Sequence, residues 1–248
     1  MPSFTDQTGR SVALQSIPQR IVSLVPSQTE LLAYLGLDKE VLGITKFCVH
    51  PEHWFRSKSR VGGTKQVSID TIHSLQPDLI IANKEENVRE QVEELAKHYP
   101  VWVSDVNNLD DACEMITSLA AITGRPDTLS NELRKRFEEL NDFTPVRAAY
   151  LIWRNPYMAA GSDTFINDMM KRCGFINTIE KERYPQVSID ELRECEIVLL
   201  SSEPFPFKQK HIEELQLPSM LVDGEMFSWY GSRLLQVPDY FRQLRSHI

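Results

Sequence analysis

The 248-residue sequence is poor in several features that would narrow its chemistry quickly. Its four cysteines, Cys48, Cys113, Cys173 and Cys195, have no close spacing. They support neither a disulfide framework nor a metal knuckle and read as isolated core thiols. No apolar run approaches the ~18–20 residues that a membrane-spanning helix needs. Basic residues are outnumbered, 27 Lys and Arg against 35 Asp and Glu, for a net charge of −8. Such a chain repels a phosphate backbone, and no basic stripe offsets this, so nucleic acid is not an expected partner. The opening residues MPSFTDQTGR lack the basic-then-apolar pattern of an export signal. If Met1 is the native start, the expected compartment is the cytoplasm; if a leader precedes it, an exported location stays open.

Catalytic signatures are also missing. The chain has no phosphate loop of the G-x-x-x-x-G-K-[ST] type, no G-x-G-x-x-G after a strand, no G-x-S-x-G elbow and no H-E-x-x-H. His50 and His53 are separated by Pro51 and lack an evident third ligand, so HPEH reads as a surface loop. His73, His98, His211 and His247 are solitary and read as surface or helix-end residues. No residue is assigned a catalytic or metal-ligating role, and the expected protein is not an enzyme.

What is present is alternation. Strands are expected at Arg20–Val25, Val41–Phe47, Asp78–Ala82 and Val101–Asp105, with helices between them. Ser27-Gln28-Thr29-Glu30 has the S-x-x-E form of a capping box, opening a helix that Gly36 closes. Further helices are expected at Glu86–Tyr99, Leu109–Ile122 and 127–142, the last with Pro126 in its first turn. The alternation then restarts: strand Ala148–Trp153, helix Thr164–Cys173 ended by Gly174, strand Glu196–Ser201, helix Lys208–Leu215 and strand Met220–Asp223. Ser232–Ile248 is expected to be helical with a break at Pro238. The fold class is therefore α/β, with two lobes of parallel sheet and a helical segment between them. The expected divisions are 1–125, 126–143 and 144–248.

One pentapeptide marks the doubling. Gln-Val-Ser-Ile-Asp occurs at 66–70 and again at 186–190. Each copy stands before a short helix and a buried strand, with Ser68 and Ser188 placed to cap and Asp70 and Asp190 in the first turn. Glu191 completes a capping box with Ser188. Aromatic and polar residues gather where strands end and loops begin, at Phe47, Trp153-Arg154, Tyr184 and the run Asp223–Tyr230. α/β proteins place ligands at such positions, and broad rings with an arginine and a carboxylate suit a large, flat, partly charged small molecule.

The segments RIVSLVPSQTELLAYLG, VGGTKQVSIDTIHSLQPDLIIA, GSDTFINDMMKRCGF and YPQVSIDEL resemble the helical-backbone (class III) substrate-binding proteins of ABC importers for cobalamin, ferric siderophores and haem. The resemblance runs from Arg20 to the C-terminus and is nearest to the cobalamin-binding branch. It implies two Rossmann-like lobes joined by a long backbone helix, here 127–142, with a ligand held between the lobes and no intrinsic cofactor. It implies ligand contacts at Phe47, Trp153, Tyr184 and Glu225, with Arg154, Trp229 and Arg233 as weaker candidates. Asp70 and Asp190 become docking acids for a two-fold symmetric ABC permease, since a pseudo-symmetric protein needs equivalent charges on both lobes to meet a symmetric dimer. Thr64-Lys65 stand where cobalamin binders carry a tryptophan. The implied function is non-enzymatic capture of a corrinoid or metal chelate by a periplasmic monomer. The alternatives are a cytoplasmic chelate carrier or sensor, or an enzyme acting on such a cofactor. Direct zinc or manganese capture would need a histidine-rich loop that the chain lacks.

Overall fold

Short apolar runs bounded by turn residues become the strands of two parallel sheets in the computed structural model, which describes residues 2–140 and 143–248. The first unit takes the chain up to Val106 with Asp110–Glu132 and Tyr230–Arg233, and the second takes Asn107–Leu109, Leu133–Trp229 and Leu234–Ile248. Elements of the first unit are β1 (Ser3–Thr5), β2 (Ser11–Ala13), β3 (Ile21–Ser23), α1 (Pro26–Tyr34), β4 (Val41–Ile44), α2 (Glu52–Ser57), β5 (Ser59–Arg60), α3 (Ile69–Leu75), β6 (Leu79–Asn83), α4 (Arg89–Ala96) and β7 (Val101–Ser104). Helices α5 (Leu109–Ile122) and α6 (Leu129–Glu138) follow. The sheet order is β5-β4-β3-β6-β7, and every neighbouring pair is parallel. Both faces are covered, so β6 is buried along its whole length. Each of Leu79, Ile80 and Ile81 contributes about 2 kcal/mol by leaving water.

The second unit holds β8 (Val146–Trp153), β9 (Met158–Ala159), α7 (Phe165–Arg172), β10 (Phe175–Asn177), α8 (Ile189–Arg193), β11 (Ile197–Ser201), α9 (Gln209–Leu215), β12 (Ser219–Val222), α10 (Glu225–Ser228), the 3₁₀ turn Ser232–Leu235 and α11 (Val237–Arg245). Its strand order is β10-β8-β11-β12, with β9 antiparallel on β8. Within the first sheet, β4-β3-β6-β7 has the same pattern: second strand, first, third, fourth. The doubling seen in the pentapeptide is thus a doubling of topology.

Each pentapeptide letter has a place in that topology. The valines and isoleucines, Val67 with Ile69 and Val187 with Ile189, turn inward onto the cores of their own units. The serines cap: Ser68 Oγ accepts from Thr71 N–H at 3.4 Å, and Ser188 Oγ accepts from Glu191 N–H at 3.2 Å. Glu191 returns a carboxylate oxygen to Ser188 N–H at 2.8 Å, completing the box that Thr71 cannot make in the first copy. The aspartates face solvent. A second pairing repeats alongside. Asp78 accepts from Gln19 and Arg20 N–H, and Arg20 reaches back to the carbonyls of Leu75 and Gln76 at the end of α3. Glu196 accepts from Arg147 N–H at 2.8 Å, and Arg147 reaches Glu194 O at the end of α8. In both units one arginine satisfies orphan helix carbonyls while one acid holds the entry to the first strand.

Several expected boundaries move for local reasons. The S-x-x-E capping box at Ser27 does not form: Pro26 occupies the first turn, Val25 is the N-cap, and Glu30 is taken by Arg233. Pro126 lies outside α6, because the Asp127 carboxylate accepts from the N–H groups of Leu129 and Ser130 and starts the helix there. The helix expected over 127–142 spans Leu129–Glu138, and its expected last residues, Asn141 and Asp142, lie outside the described residues. Pro238 opens α11 instead of breaking a helix. His211 is buried, its Nδ1 accepting from Lys208 N–H at 2.8 Å. The N-terminal hairpin β1–β2 had no clear sequence signal; its turn is organised by buried Asp6, which accepts from Thr8 and Arg10.

Ser188→Ala is expected to lower stability by about 1 kcal/mol in urea unfolding, and by more than Ser68→Ala, whose cap bond is longer. The bond from Lys181, then those from Ser188, hold the Glu191 carboxyl down at about 2, against an ordinary 4.5. A depressed folded value means the contribution is complete above pH 4.5 and is lost as pH falls toward 2. The stability gap between wild type and Glu191→Gln should therefore close over that window; a gap independent of pH would refute the linkage.

Candidate functional site

All strands of a parallel sheet end on one edge, and the loops there are free to carry function. In the first unit the residue standing out on that edge is Phe47, three residues past β4 and 52% exposed. Its ring lies over Gly63, where an added Cβ would come within 3.2 Å of Phe47 Cε2, and Lys46 Nζ is 5.1 Å from the ring centre. Beneath this edge is a buried polar network. Asn83 Nδ2 donates to Ser104 Oγ at 3.0 Å, and Asn87 Oδ1 accepts from Asn83 N–H at 2.8 Å. Asn87 Nδ2 reaches the carbonyls of Leu24 and Thr64, tying the ends of β3 and β6 to the segment before the first pentapeptide. Cys48 is buried and bonded to Thr29 and Thr45; burial pushes its thiol up and makes it a poor nucleophile.

In the second unit Trp153 ends β8, 42% exposed, with its ring meeting Phe205 edge-on at 5.8 Å. Arg154 pairs with Glu214 of α9 at 2.5 Å, which occupies its guanidinium. Tyr184 is half-buried in the segment leading to the second pentapeptide. Glu225 is half-buried as the first residue of α10, just past β12. Trp229, only 7% exposed, donates Nε1–H to Glu203 Oε1 at 3.0 Å. Glu203 is also approached by Ser228 Oγ at 2.6 Å. Burial pushes the Glu203 carboxyl up, and the neighbouring charges of Glu225 and Asp223 add to the effect against the hydrogen bonds of Ser228 and Trp229. Phe47 in the first unit, and Trp153 and Glu225 in the second, thus stand at strand C-terminal ends, while Trp229 and Arg154 already hold internal partners.

Arg233 makes a two-pronged pair with Glu30, at 3.0 Å from Nε and 2.8 Å from Nη2, in the first unit. The pair is mostly shielded from solvent, which marks Arg233 as an anchor for Tyr230–Arg233. Tyr230 is buried in the same segment and donates to Glu86 Oε1 at 3.1 Å. A cavity of about 730 Å³ in the second unit is walled by Phe143, Asn167, Lys171, Phe175 and Asn177, and none of the sequence candidates lines it. Among the described residues no three His, Cys, Asp or Glu side chains converge to hold a metal ion. No described helix is long and apolar enough to cross a membrane. Sequence reasoning passed over Glu203 and Phe205; the proline-spaced run Glu203-Pro204-Phe205-Pro206-Phe207 directly after a strand was the available signal.

Arg233→Ala should cost about 2 kcal/mol in chemical unfolding, because it strands a mostly covered carboxylate. Arg233→Lys should recover part of that loss but not the two-pronged geometry. Stability equal to wild type in the alanine variant would remove the anchoring role.

The chain matches the periplasmic binding protein family over residues 21–203. The vitamin B12-binding protein of Pectobacterium atrosepticum is 24% identical over 243 residues, covering 90% of this chain and 87% of that protein. The crystal structure of the periplasmic vitamin B12-binding protein of Vibrio cholerae is similar with a TM-score of 0.75 at 19% identity, over 94% of this chain and 99% of that one. A periplasmic haem-binding protein of Pseudomonas aeruginosa gives a TM-score of 0.77 at 18% identity, over 93% of this chain and 92% of the other. Such structural likeness at low identity shows the shared fold. Because the family match spans most of the sequence, the chain belongs to the periplasmic binding protein family, whose members bind solutes and are not enzymes.

Proposed function

We propose that this protein captures a corrinoid or a related metal chelate and delivers it to an ABC importer. The observation that carries the reading is the pair Phe47 and Trp153, large aromatic side chains left 52% and 42% exposed at strand ends, one in each unit. Leaving either ring in water is unfavourable, and a flat conjugated ligand stacked on that ring would cover it. Tyr184 and Glu225 are the further proposed contacts. Asp223 and Glu225 bring negative charge to the end of β12. That charge favours a chelate edged by amides over one edged by carboxylates, which supports a corrinoid ahead of haem. The B12-binding relatives support the same choice. The chelate is cargo, and no intrinsic cofactor is invoked.

For delivery, Asp70 and Asp190 are the proposed docking acids. Both are exposed in the first turns of topologically equivalent helices, and the Asp190 side chain is 86% exposed beside Arg193. Rim charges of this kind set encounter rate and register more than raw affinity. The partner is a two-fold symmetric permease, the compartment is the periplasm, and the working form is a monomer.

A thermal-shift and visible-absorption screen across cyanocobalamin, cobinamide, haem and a ferric siderophore tests the reading. A probe at ~100 times its Kd should stabilise the protein by roughly 2.7 kcal/mol, with corrinoids ahead of haem. No shift with any of the four would overturn the proposal. Trp153→Ala should weaken the bound chelate by about 1 kcal/mol, near fivefold. Asp70→Lys combined with Asp190→Lys should leave chelate affinity intact while abolishing permease-dependent uptake in reconstituted vesicles; unchanged uptake would remove both acids from docking.

A further inference from the structure

The segment Ser201–Phe207, the last residue of β11 with the loop that follows it, touches the surroundings of two proposed ligand contacts. On one side it holds both ends of α10. Glu203 Oε1 accepts from Ser228 Oγ at 2.6 Å and Trp229 Nε1 at 3.0 Å, at the close of that helix. At its start, Gly224 N–H donates to Ser202 Oγ at 2.8 Å. A Cβ on Gly224 would lie 2.5 Å from both Glu203 Cγ and Ser201 Oγ, so glycine is what lets loop and helix approach so closely. Four residues of helix have no stability of their own, and the orientation of α10 is set by what grips it. Glu225 is its first residue.

On the other side, Phe205 meets the Trp153 ring edge-on at 5.8 Å with the planes at 70°. Phe205 is backed in turn by Phe207 at 4.8 Å and His211 at 5.4 Å. The loop itself is tied to the core. Buried Tyr150 donates to Ser201 Oγ at 3.0 Å, Ser201 Oγ donates to Glu203 O at 2.6 Å, and Phe205 N–H donates to Ile152 O at 3.2 Å.

We infer that Ser201–Phe207 is the positioning element of the chelate site in this unit, Glu203 orienting α10 with its Glu225 and Phe205 fixing the ring plane of Trp153. The inference rests on the proposed role of Trp153 and Glu225 as chelate contacts. Neither Glu203 nor Phe205 has to touch the ligand; each reduces the freedom that binding would otherwise remove.

The test joins binding to a ligand-free measurement. In protein labelled with fluorotryptophan, resonances are assigned with Trp153→Phe and Trp229→Phe. Phe205→Ala should shift the Trp153 signal, and Glu203→Ala should shift that of Trp229. With cyanocobalamin as probe, Phe205→Ala should weaken binding by up to about fivefold, no more than Trp153→Ala does, and adding Trp153→Ala should cost little more, since the two act as a unit. Glu203→Ala should couple in the same way to Glu225→Gln, while Glu203→Gln, which keeps the acceptor, should recover most of the affinity. A residue that only supports the fold would lower the melting temperature and leave these couplings at zero. Additive effects, or unmoved tryptophan signals, overturn the inference. If wild-type protein binds no probe, the proposed function falls, and the ligand-free spectra alone decide whether the loop positions Trp153 and α10.

Discussion

Because neighbours along β5-β4-β3-β6-β7 and along β10-β8-β11-β12 run parallel, each must be joined to the next by a crossover, and every strand of these two series finishes on the same edge, with β9 the antiparallel addition to β8. Burial of strands such as β6 on both faces leaves their side chains no freedom for chemistry. Side chains free for chemistry are therefore expected at strand ends and in the segments that follow, as after β4, β8, β11 and β12, where Phe47, Trp153, Glu203 and Glu225 stand. The exposed aromatics follow from that placement: they are neither needed by the core nor hidden by it.

The same constraint gives the pentapeptide its meaning. A short helix entering a buried parallel strand needs an N-cap, two inward apolar residues and an outward-tolerant first turn, and Gln-Val-Ser-Ile-Asp supplies all of them. The arginine–acid pairings Arg20–Asp78 and Arg147–Glu196 solve the opposite end of the same problem, closing the helix and fixing the entry of the first strand. Capping chemistry accounts for the serine, valine and isoleucine of each copy. It places less demand on the aspartates: both are exposed in a first turn, where the helix dipole favours an acid, and Asp190 also pairs with Arg193 at 2.5 Å.

Much of the fold was legible. Leu109–Ile122 was bounded correctly because its apolar spacing and acidic first turn agree. Gly36 and Gly174 marked helix ends where the backbone adopts positive φ. Where observed elements depart from the expected ones, side chains both near and far in sequence are responsible. Glu30 satisfies a local capping pattern but is drawn to Arg233, 203 residues away, and Asp127 takes the role that the sequence suggested for Pro126. Of the candidate site, the aromatic residues at strand ends were visible as a pattern, since loops seldom need them. Glu203 and Phe205 were not, because a carboxylate among 35 acids and a phenylalanine among eleven carry no mark until their neighbours are known.

By itself, then, the sequence determined the α/β class, the doubling and the local starts and stops, all of which depend on spacings of a few residues. Tertiary structure alone decided which side chains at the strand ends remain exposed and which are consumed. Trp153 and Trp229 look alike in the sequence, yet one is left in solvent and the other is bound to Glu203. The physical reason is that burial and hydrogen bonding at those positions are set by segments brought together from across the chain, which no local spacing encodes.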